Sequence, residues 1–233
     1  MLDPKGRVVM ISGANRGIGR AIAECLARRG YDLSLGVRRP EQLAEIAGER
    51  ILVHRYDALD PAAAAWVAAT LARFGRIDGL INNAGIAIAA GIEDADEAAF
   101  DRLWQVNVKG PLRMIRAALP HLRASGRGRI VNVVSLSGKR VANDNAGYAM
   151  SKFAALALTH AARRAGWQDG VRATALCPGF VATDMTLWAR DRVPAEEMIQ
   201  PEDLAELVAT VIALPNNASV AELLVNCRFE DML

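Results

Sequence analysis

Tyr148 and Lys152 stand four positions apart in Tyr148-Ala149-Met150-Ser151-Lys152, in a stretch that continues without Pro or Gly to about Arg164. Such a stretch predicts a helix, and an i,i+4 pair on a helix shares one face, so a phenol and an ammonium can enter the same pocket. A free tyrosine has a pKa of ~10, and bringing it to about 7 takes roughly 4 kcal/mol of preferential stabilisation of the phenolate. A neighbouring ammonium supplies much of that where water is partly excluded, which makes the pair a candidate acid/base. Of the 28 basic residues only Lys5, Lys109, Lys139 and Lys152 are lysine, so a position that uses lysine rather than arginine draws attention. Thirteen residues upstream of the phenol, Ser135 ends the apolar run Ile130-Val131-Asn132-Val133-Val134. Its hydroxyl can orient a substrate oxygen or, more plainly, cap a turn. Asn107, in Val106-Asn107-Val108-Lys109-Gly110, falls in a helical segment where a short amide is costly unless bonded. It is either part of the same constellation or a satisfied core asparagine.

A second group of residues has the chemistry of phosphate binding. After the apolar run that begins at Val8 comes Ser12-Gly13-Ala14-Asn15-Arg16-Gly17-Ile18-Gly19, then an amphipathic helix to about Arg29. Gly13 permits a sharp turn, and Gly17 and Gly19 let the backbone approach a pyrophosphate at the helix N-terminus. The spacing is GxxxGxG rather than the more familiar GxGxxG. At the end of the second expected strand, Leu35-Gly36-Val37-Arg38-Arg39, there is no carboxylate to hold a ribose 2′-OH. Arg38 suits a 2′-phosphate in a two-pronged contact, with Arg16 as a second positive charge, so NADP is the expected dinucleotide. Both arginines have the alternative of lying solvated on the surface.

The elements that must position these groups are read from periodicity. Short β-branched runs alternate with Ala- and Leu-rich amphipathic stretches, the pattern of βα units. Seven strands are expected at Val8–Ser12, Asp32–Val37, Ile51–Tyr56, Gly79–Asn82, Arg129–Val134, Val171–Leu176 and Leu223–Asn226. Right-handed crossovers turn that order into an α/β, doubly wound Rossmann fold, a mostly parallel sheet with helices on both faces and its ligand crevice at the carboxyl ends of the strands. Residues 1–233 are expected to form a single domain, with residues 184–200, neither clear strand nor clear helix, as a short substrate lid. Hydrophobic residues at 52% against 23% charged are the balance of a soluble globular chain. The +2 net charge is dispersed, which argues against nucleic acid as a partner, and no apolar run suits a membrane span. The polar residues before Val8 leave no secretory leader, so a cytoplasmic location is expected. Cys25, Cys177 and Cys227 are odd in number and lack CxxC spacing, and His54, His121 and His160 lack ligand spacing, so no metal is expected. Asp78 falls at the amino end of its strand, away from the expected crevice, and is read as structural.

Taken with Asn82-Asn83-Ala84-Gly85 and Pro178-Gly179-Phe180-Val181-Ala182-Thr183, these motifs resemble the short-chain dehydrogenase/reductase family over nearly the whole chain. The resemblance implies that Asn107, Ser135, Tyr148 and Lys152 form a proton-transfer tetrad, with Lys152 bonded to the nicotinamide ribose and Asn107 anchoring a water. It implies a cofactor site of Gly13, Asn15, Arg16, Gly17, Ile18, Gly19 and Arg38, with Asp57 and Ala58 flanking the adenine and Asn83, Ala84 and Gly85 along the adenosine ribose. Tyr148 and Lys152 complete that site with Pro178, Gly179, Val181 and Thr183 at the nicotinamide amide. A small-molecule carbonyl or alcohol substrate and a homodimer or homotetramer are further implications. Two departures stand out: Ser12 replaces the usual threonine, and residues 223–229 lack the paired glycines common in members that reduce acyl-carrier-bound ketones. A catalytically silent NADP(H)-binding sensor of the same fold is the rival reading.

Overall fold

The computed structural model describes residues 1–229, built on one seven-stranded parallel sheet of order β3-β2-β1-β4-β5-β6-β7. The strands are β1 (Val8–Ser12), β2 (Asp32–Val37), β3 (Ile51–Arg55), β4 (Gly79–Asn82), β5 (Arg129–Val133), β6 (Arg172–Pro178) and β7 (Glu222–Val225). All seven expected strands are present, with ends that differ by a residue or two, and the sheet is parallel throughout. Its central strands are apolar along their length because both faces are covered. Val9, Ile11, Leu33, Leu35, Ile81 and Val131 pack on one side with α1 (Gly17–Arg28) and α6 (Pro201–Ala213). Met10, Leu80, Ile130 and Ala173 face the other side, against α2 (Ala63–Phe74), α4 (Gly110–Ala124) and α5 (Ala146–Gly166).

The chain winds outward from β1 to β3 and then resumes at β4 on the other side of β1. This reversal opens a crevice beyond the carboxyl ends of β1 and β4, the place where open α/β sheets take ligands. The glycine turn follows β1 and Asn83–Gly85 follows β4, so two of the sequence motifs flank it. A short helix α3 (Ala98–Trp104) runs into a single π-helical turn, Gln105–Lys109, before α4 begins. Asn107 therefore sits in a π turn rather than in regular α-helix. Residues 184–200 form two short 3-10 helices, Asp184–Ala189 and Ala195–Glu197, anchored by Ala189, Val193 and Met198 packed against Phe180, Ala182 and Cys227. Met185, Leu187 and Trp188 of the same segment remain exposed.

A buried polar ladder joins the sheet to α5. Asn82 donates to Asn132 at 2.8 Å, Asn132 donates to Thr159 at 2.8 Å, and Thr159 donates to the Ala155 carbonyl. At the opposite end of β4, Asp78 accepts from the Val8 amide and from Arg76, a structural use in keeping with its place at the amino edge. Replacing Asn132 by Ala strips the Asn82 amide of its buried acceptor and Thr159 of its donor. The expected cost is about 2–3 kcal/mol of folding free energy, measured by urea denaturation. An unchanged midpoint would mean that the ladder does not contribute to stability.

Candidate active site

Tyr148 lies in the first turn of α5, whose N-terminus is capped by Asn145: its side-chain oxygen accepts from the Tyr148 amide at 3.3 Å. The Asn145 amide donates to the Ile88 carbonyl at 3.0 Å, and the Gly147 amide donates to Ala90, so one asparagine ties the loop after β4 to the helix that presents the phenol. Asparagine immediately ahead of a helical run is a capping signature that reading for chemistry alone passes over. One turn on, Lys152 is buried, its ammonium donating to the Val133 carbonyl at 3.1 Å and lying 5.6 Å from the centre of the Tyr148 ring. The expected shared face is therefore present.

Ser135 follows β5 and caps the 3-10 turn Leu136–Gly138, its hydroxyl accepting from the Ser137 amide at 3.1 Å. The same hydroxyl lies close enough to the Tyr148 side chain to lower its pKa, so Ser135 is both the plain turn cap and a neighbour of the phenol. Asn107 is buried and wholly engaged: its oxygen accepts from the Ile86 amide at 2.9 Å, and its nitrogen donates to the Ile86 carbonyl and the Ser151 hydroxyl, each at 3.0 Å. Ser151 in turn donates to the Tyr148 carbonyl at 2.8 Å. The Asn107 side chain thus reaches the phenol's helix through Ser151 and fixes the loop after β4.

Electrostatically, the protein alone does the opposite of what the sequence pattern suggests for the phenol. Burial pushes the Tyr148 pKa up, with the Ser135 bond working against it. Burial also pushes Lys152 down to about 8, opposed by Cys177 nearby. Desolvation disfavours each charge separately and outweighs their attraction. Cys177, fully buried, is pushed up to about 11 by burial and then by the Glu222 charge, which makes it a poor nucleophile.

The residues around the crevice fit a dinucleotide. Gly13 and Gly17 have φ of +68° and +54°, and a Cβ on Gly19 would collide with the Gly13 carbonyl and the Asn83 amide. No side chain caps α1 at Arg16, so its first N–H groups remain available to phosphate oxygens. The Ser12 hydroxyl, buried, accepts from the amides of Asn83 and Ala84 at 3.0 Å each, and the Asn83 amide donates to the carbonyls of Ser12 and Gly13. Serine in place of threonine keeps this clamp between the two sides of the crevice. Val37 is buried at the end of β2, and Arg38 beyond it is exposed, with no hydrogen bond or ion pair among the described residues. Gly85 is open towards both Asn107 and Lys152: a Cβ there would stand 3.3 Å from the Asn107 oxygen and 3.7 Å from the ammonium.

Other expected contributors are partly committed within the protein. Arg16 pairs with Asp184 at 2.9 Å, joining the glycine turn to residues 184–200. Asn15 donates to Gln42, Asp57 accepts from the Leu59 amide, and the Ala58 carbonyl accepts from Arg113. Ile18 packs at the edge of the core. Pro178 ends β6, the Gly179 amide donates to Val225, and Val181 is buried and bridges to Ile199. Thr183 caps the following turn and lies beside Gly17, a Cβ on which would be 3.2 Å from the threonine methyl. The 178–183 segment thereby closes the crevice opposite the glycine turn.

The fold and this crevice define an α/β protein of the dinucleotide-binding class, with a phenol and a buried ammonium side by side at the crevice. Residues 7–193 match the short chain dehydrogenase family, and the chain belongs to it. It is 47% identical over 230 residues to an agropine synthesis reductase of Rhizobium rhizogenes, an alignment covering 97% of this chain and 53% of that protein. The chain thus spans about half the length of the agropine synthesis reductases it matches. Among solved structures it resembles a 3-ketoacyl-(acyl-carrier-protein) reductase from Brucella melitensis complexed with NADH, at TM-score 0.86, 29% identity and coverage of 96% of this chain and 98% of that one. It also resembles an alcohol dehydrogenase from Thermococcus sibiricus complexed with 5-hydroxy-NADP, at TM-score 0.84, 32% identity and coverage of 94% and 95%. The two carry different nicotinamide dinucleotides, so the likeness supports that class of cofactor without choosing between its forms.

The depressed Lys152 pKa makes a stability prediction for the cofactor-free protein. Its folded value of about 8 lies below the ordinary lysine value of 10.5, so the folded state binds fewer protons between those limits and stability rises with pH across them. The burial penalty is complete below about 8. Lys152→Met should therefore be more stable than the parent at pH 7, by on the order of 1–3 kcal/mol. That lead should shrink towards pH 10.5 in denaturation curves taken along a pH series. A variant less stable than the parent at pH 7 would show that the ammonium is not penalised.

Proposed function

We propose that the chain is an NADP-dependent oxidoreductase that moves a hydride between the dinucleotide and a carbonyl or secondary alcohol carbon, with Tyr148 as general acid/base. The observation that carries this reading is the convergence of a phenol, a serine hydroxyl and a buried ammonium on one side of the ligand crevice. The dinucleotide supplies the hydride when bound. Gly13, Asn15, Gly17, Ile18 and Gly19 hold its phosphates at the start of α1, with Asp57, Ala58, Asn83, Ala84 and Gly85 along the adenosine half. Pro178, Gly179, Val181 and Thr183 flank the nicotinamide half, and Lys152 donates to the ribose. Arg38 meets the 2′-phosphate. Arg16 contributes through its charge at the mouth of the turn, its guanidinium already being shared with Asp184.

In the reducing direction the substrate oxygen accepts from Ser135 and Tyr148, and the phenol gives up its proton as that oxygen becomes negative. The raised phenol pKa keeps the proton in place until then. The buried ammonium stabilises the phenolate left behind, most strongly where water is excluded. Oxidation retraces the same steps, and Asn107 holds the site's backbone and anchors a water in the relay. Residues 184–200 act as a lid, with exposed Met185, Leu187 and Trp188 available to an apolar part of the substrate. The identity to agropine synthesis reductase puts the compound reduced in agropine synthesis first in the substrate panel.

NADPH fluorescence titration followed by keto acids, aldehydes, cyclic ketones and acyl thioesters tests the reading. Binding without oxidation across the panel would favour a sensor. Tyr148→Phe should lower turnover by ~10²–10⁴-fold with NADPH binding nearly intact, and retained turnover would remove Tyr148 from its role. Arg38→Ala should reduce kcat/KM with NADPH by about 10–100-fold and leave NADH almost unaffected. A parent enzyme as efficient with NADH as with NADPH would overturn the cofactor preference.

A further inference from the structure

Glu222, the first residue of β7, lies outside every motif above and receives two basic groups at once. One carboxylate oxygen is 2.8 Å from the Lys139 ammonium and the other is 2.8 Å from His160 Nε2. All three are partly shielded, the glutamate most, with 22% of its side chain exposed. Lys139 is one of the four lysines and closes the 3-10 turn that Ser135 opens: its amide donates to Leu136, and the Gly138 amide donates to Ser135. His160 lies two turns beyond Lys152 on α5. One carboxylate thus joins β7, the serine turn and the helix that presents the phenol.

The turn is also pressed against that helix from within. A Cβ on Gly138 would come 2.8 Å from the Lys152 carbonyl and 2.8 Å from the Val134 side chain, so the turn cannot move closer to α5. Lys139 and Glu222 restrain it from moving away. Between these two restraints stands the Ser135 hydroxyl, bonded to the Ser137 amide and close enough to the phenol to lower its pKa.

We propose that Glu222, with Lys139 and His160, is a positioning device that sets the Ser135 hydroxyl against Tyr148. It touches neither reacting atom and acts only through the serine turn. This rests on the proposed roles of Ser135 and Tyr148, and its test separates the two. In cofactor-free protein carrying tyrosine labelled with ¹³C at Cζ, the Tyr148 resonance at pH 7.5, assigned by its absence in Tyr148→Phe, reports the hydrogen bond from the serine.

Lys139→Met and Glu222→Ala should each move that resonance towards its position in Ser135→Ala, and Lys139→Arg should restore most of the parental position. On the Ser135→Ala background, Glu222→Ala should add no further movement. With NADPH and 2,3-butanedione as the probe carbonyl, both single variants should lose about tenfold in kcat, as expected for a misplaced catalytic group. KM for NADPH should stay within about twofold, since cofactor binding is not involved. A Tyr148 resonance identical to the parent in folded Lys139→Met and Glu222→Ala overturns the proposal, as does an undiminished effect of Glu222→Ala in the absence of the serine hydroxyl. If Ser135→Ala itself leaves the resonance and kcat unchanged, the pairing of Ser135 with Tyr148 fails instead.

Discussion

The constraint on which the site depends is the burial of an ammonium beside a phenol with no carboxylate among the described residues to neutralise it. Lys152 has the Val133 carbonyl as its hydrogen-bond acceptor and is desolvated enough to lose affinity for its proton. The phenol is likewise reluctant to ionise. Each charge is unfavourable singly, yet a phenolate and an ammonium formed together compensate one another in a medium of low polarity. A proton leaving the phenol is therefore tied to the presence of something that excludes the remaining water and takes the ammonium's spare hydrogens. Under the proposed function, ribose hydroxyls and a substrate oxygen would do both. On that reading the pair holds its protons until the crevice is filled, which suits an acid/base that must not exchange its proton idly with solvent.

That arrangement survives only if the two side chains stay in register with the crevice, and much of the surrounding structure serves this end. Asn107 commits both side-chain donors and one bond to its oxygen to Ile86 and Ser151, and Ser151 passes the constraint to the carbonyl of Tyr148 itself. Asn145 fixes the same residue's amide and the loop at Ile88. The phenol is consequently gripped by its own backbone at both ends, while its hydroxyl is left for Ser135 and a ligand. Placing a polar side chain in a π turn is costly locally, and such turns recur at functional sites where a side chain must be re-aimed.

The central strands were legible because each is covered on both faces and so reads as a largely apolar run, and the handedness of crossovers then leaves few orders open. Tyr148, Lys152, Ser135 and the glycine turn were legible because their spacing is local. What escaped is mostly non-local. The π turn at Gln105–Lys109 has the same residue pattern as an α-helix. Ser12 reads as a conservative replacement in a turn, yet its hydroxyl joins β1 to the residues after β4. Arg16 reads as a charge for the cofactor, but its partner Asp184 is distant in the chain and becomes visible only once residues 178–183 fold back over the turn. Glu222 belongs to no recognisable pattern at all, since its meaning comes from Lys139 and His160 approaching from two other elements.

The two ends of the sheet differ in how their hydrogen bonding is spent, and this difference supplies the direction of the molecule. At the amino ends the buried Arg7 and Arg129 and the half-buried Arg172 turn onto backbone carbonyls: Arg7 onto Ile212 and Arg127, Arg129 onto Gly128, Gly170 and Leu214, and Arg172 onto Trp167 and Asn216. Those carbonyls include the last of α6, where a positive charge meets the negative end of the helix dipole. Apart from the buried Arg7 Nε, these donors find acceptors within the protein, and Asp78 answers the Val8 amide in the same way. At the carboxyl ends the balance is left open on the donor side: the first amides of α1, the guanidinium of Arg38 and an ammonium held by one carbonyl. A ligand rich in oxygen and negative charge is what such an imbalance selects, and it selects it at one end only. The same alternation of strand and helix that stabilises the fold thus leaves its unpaired donors together, on the side where the chain reverses direction.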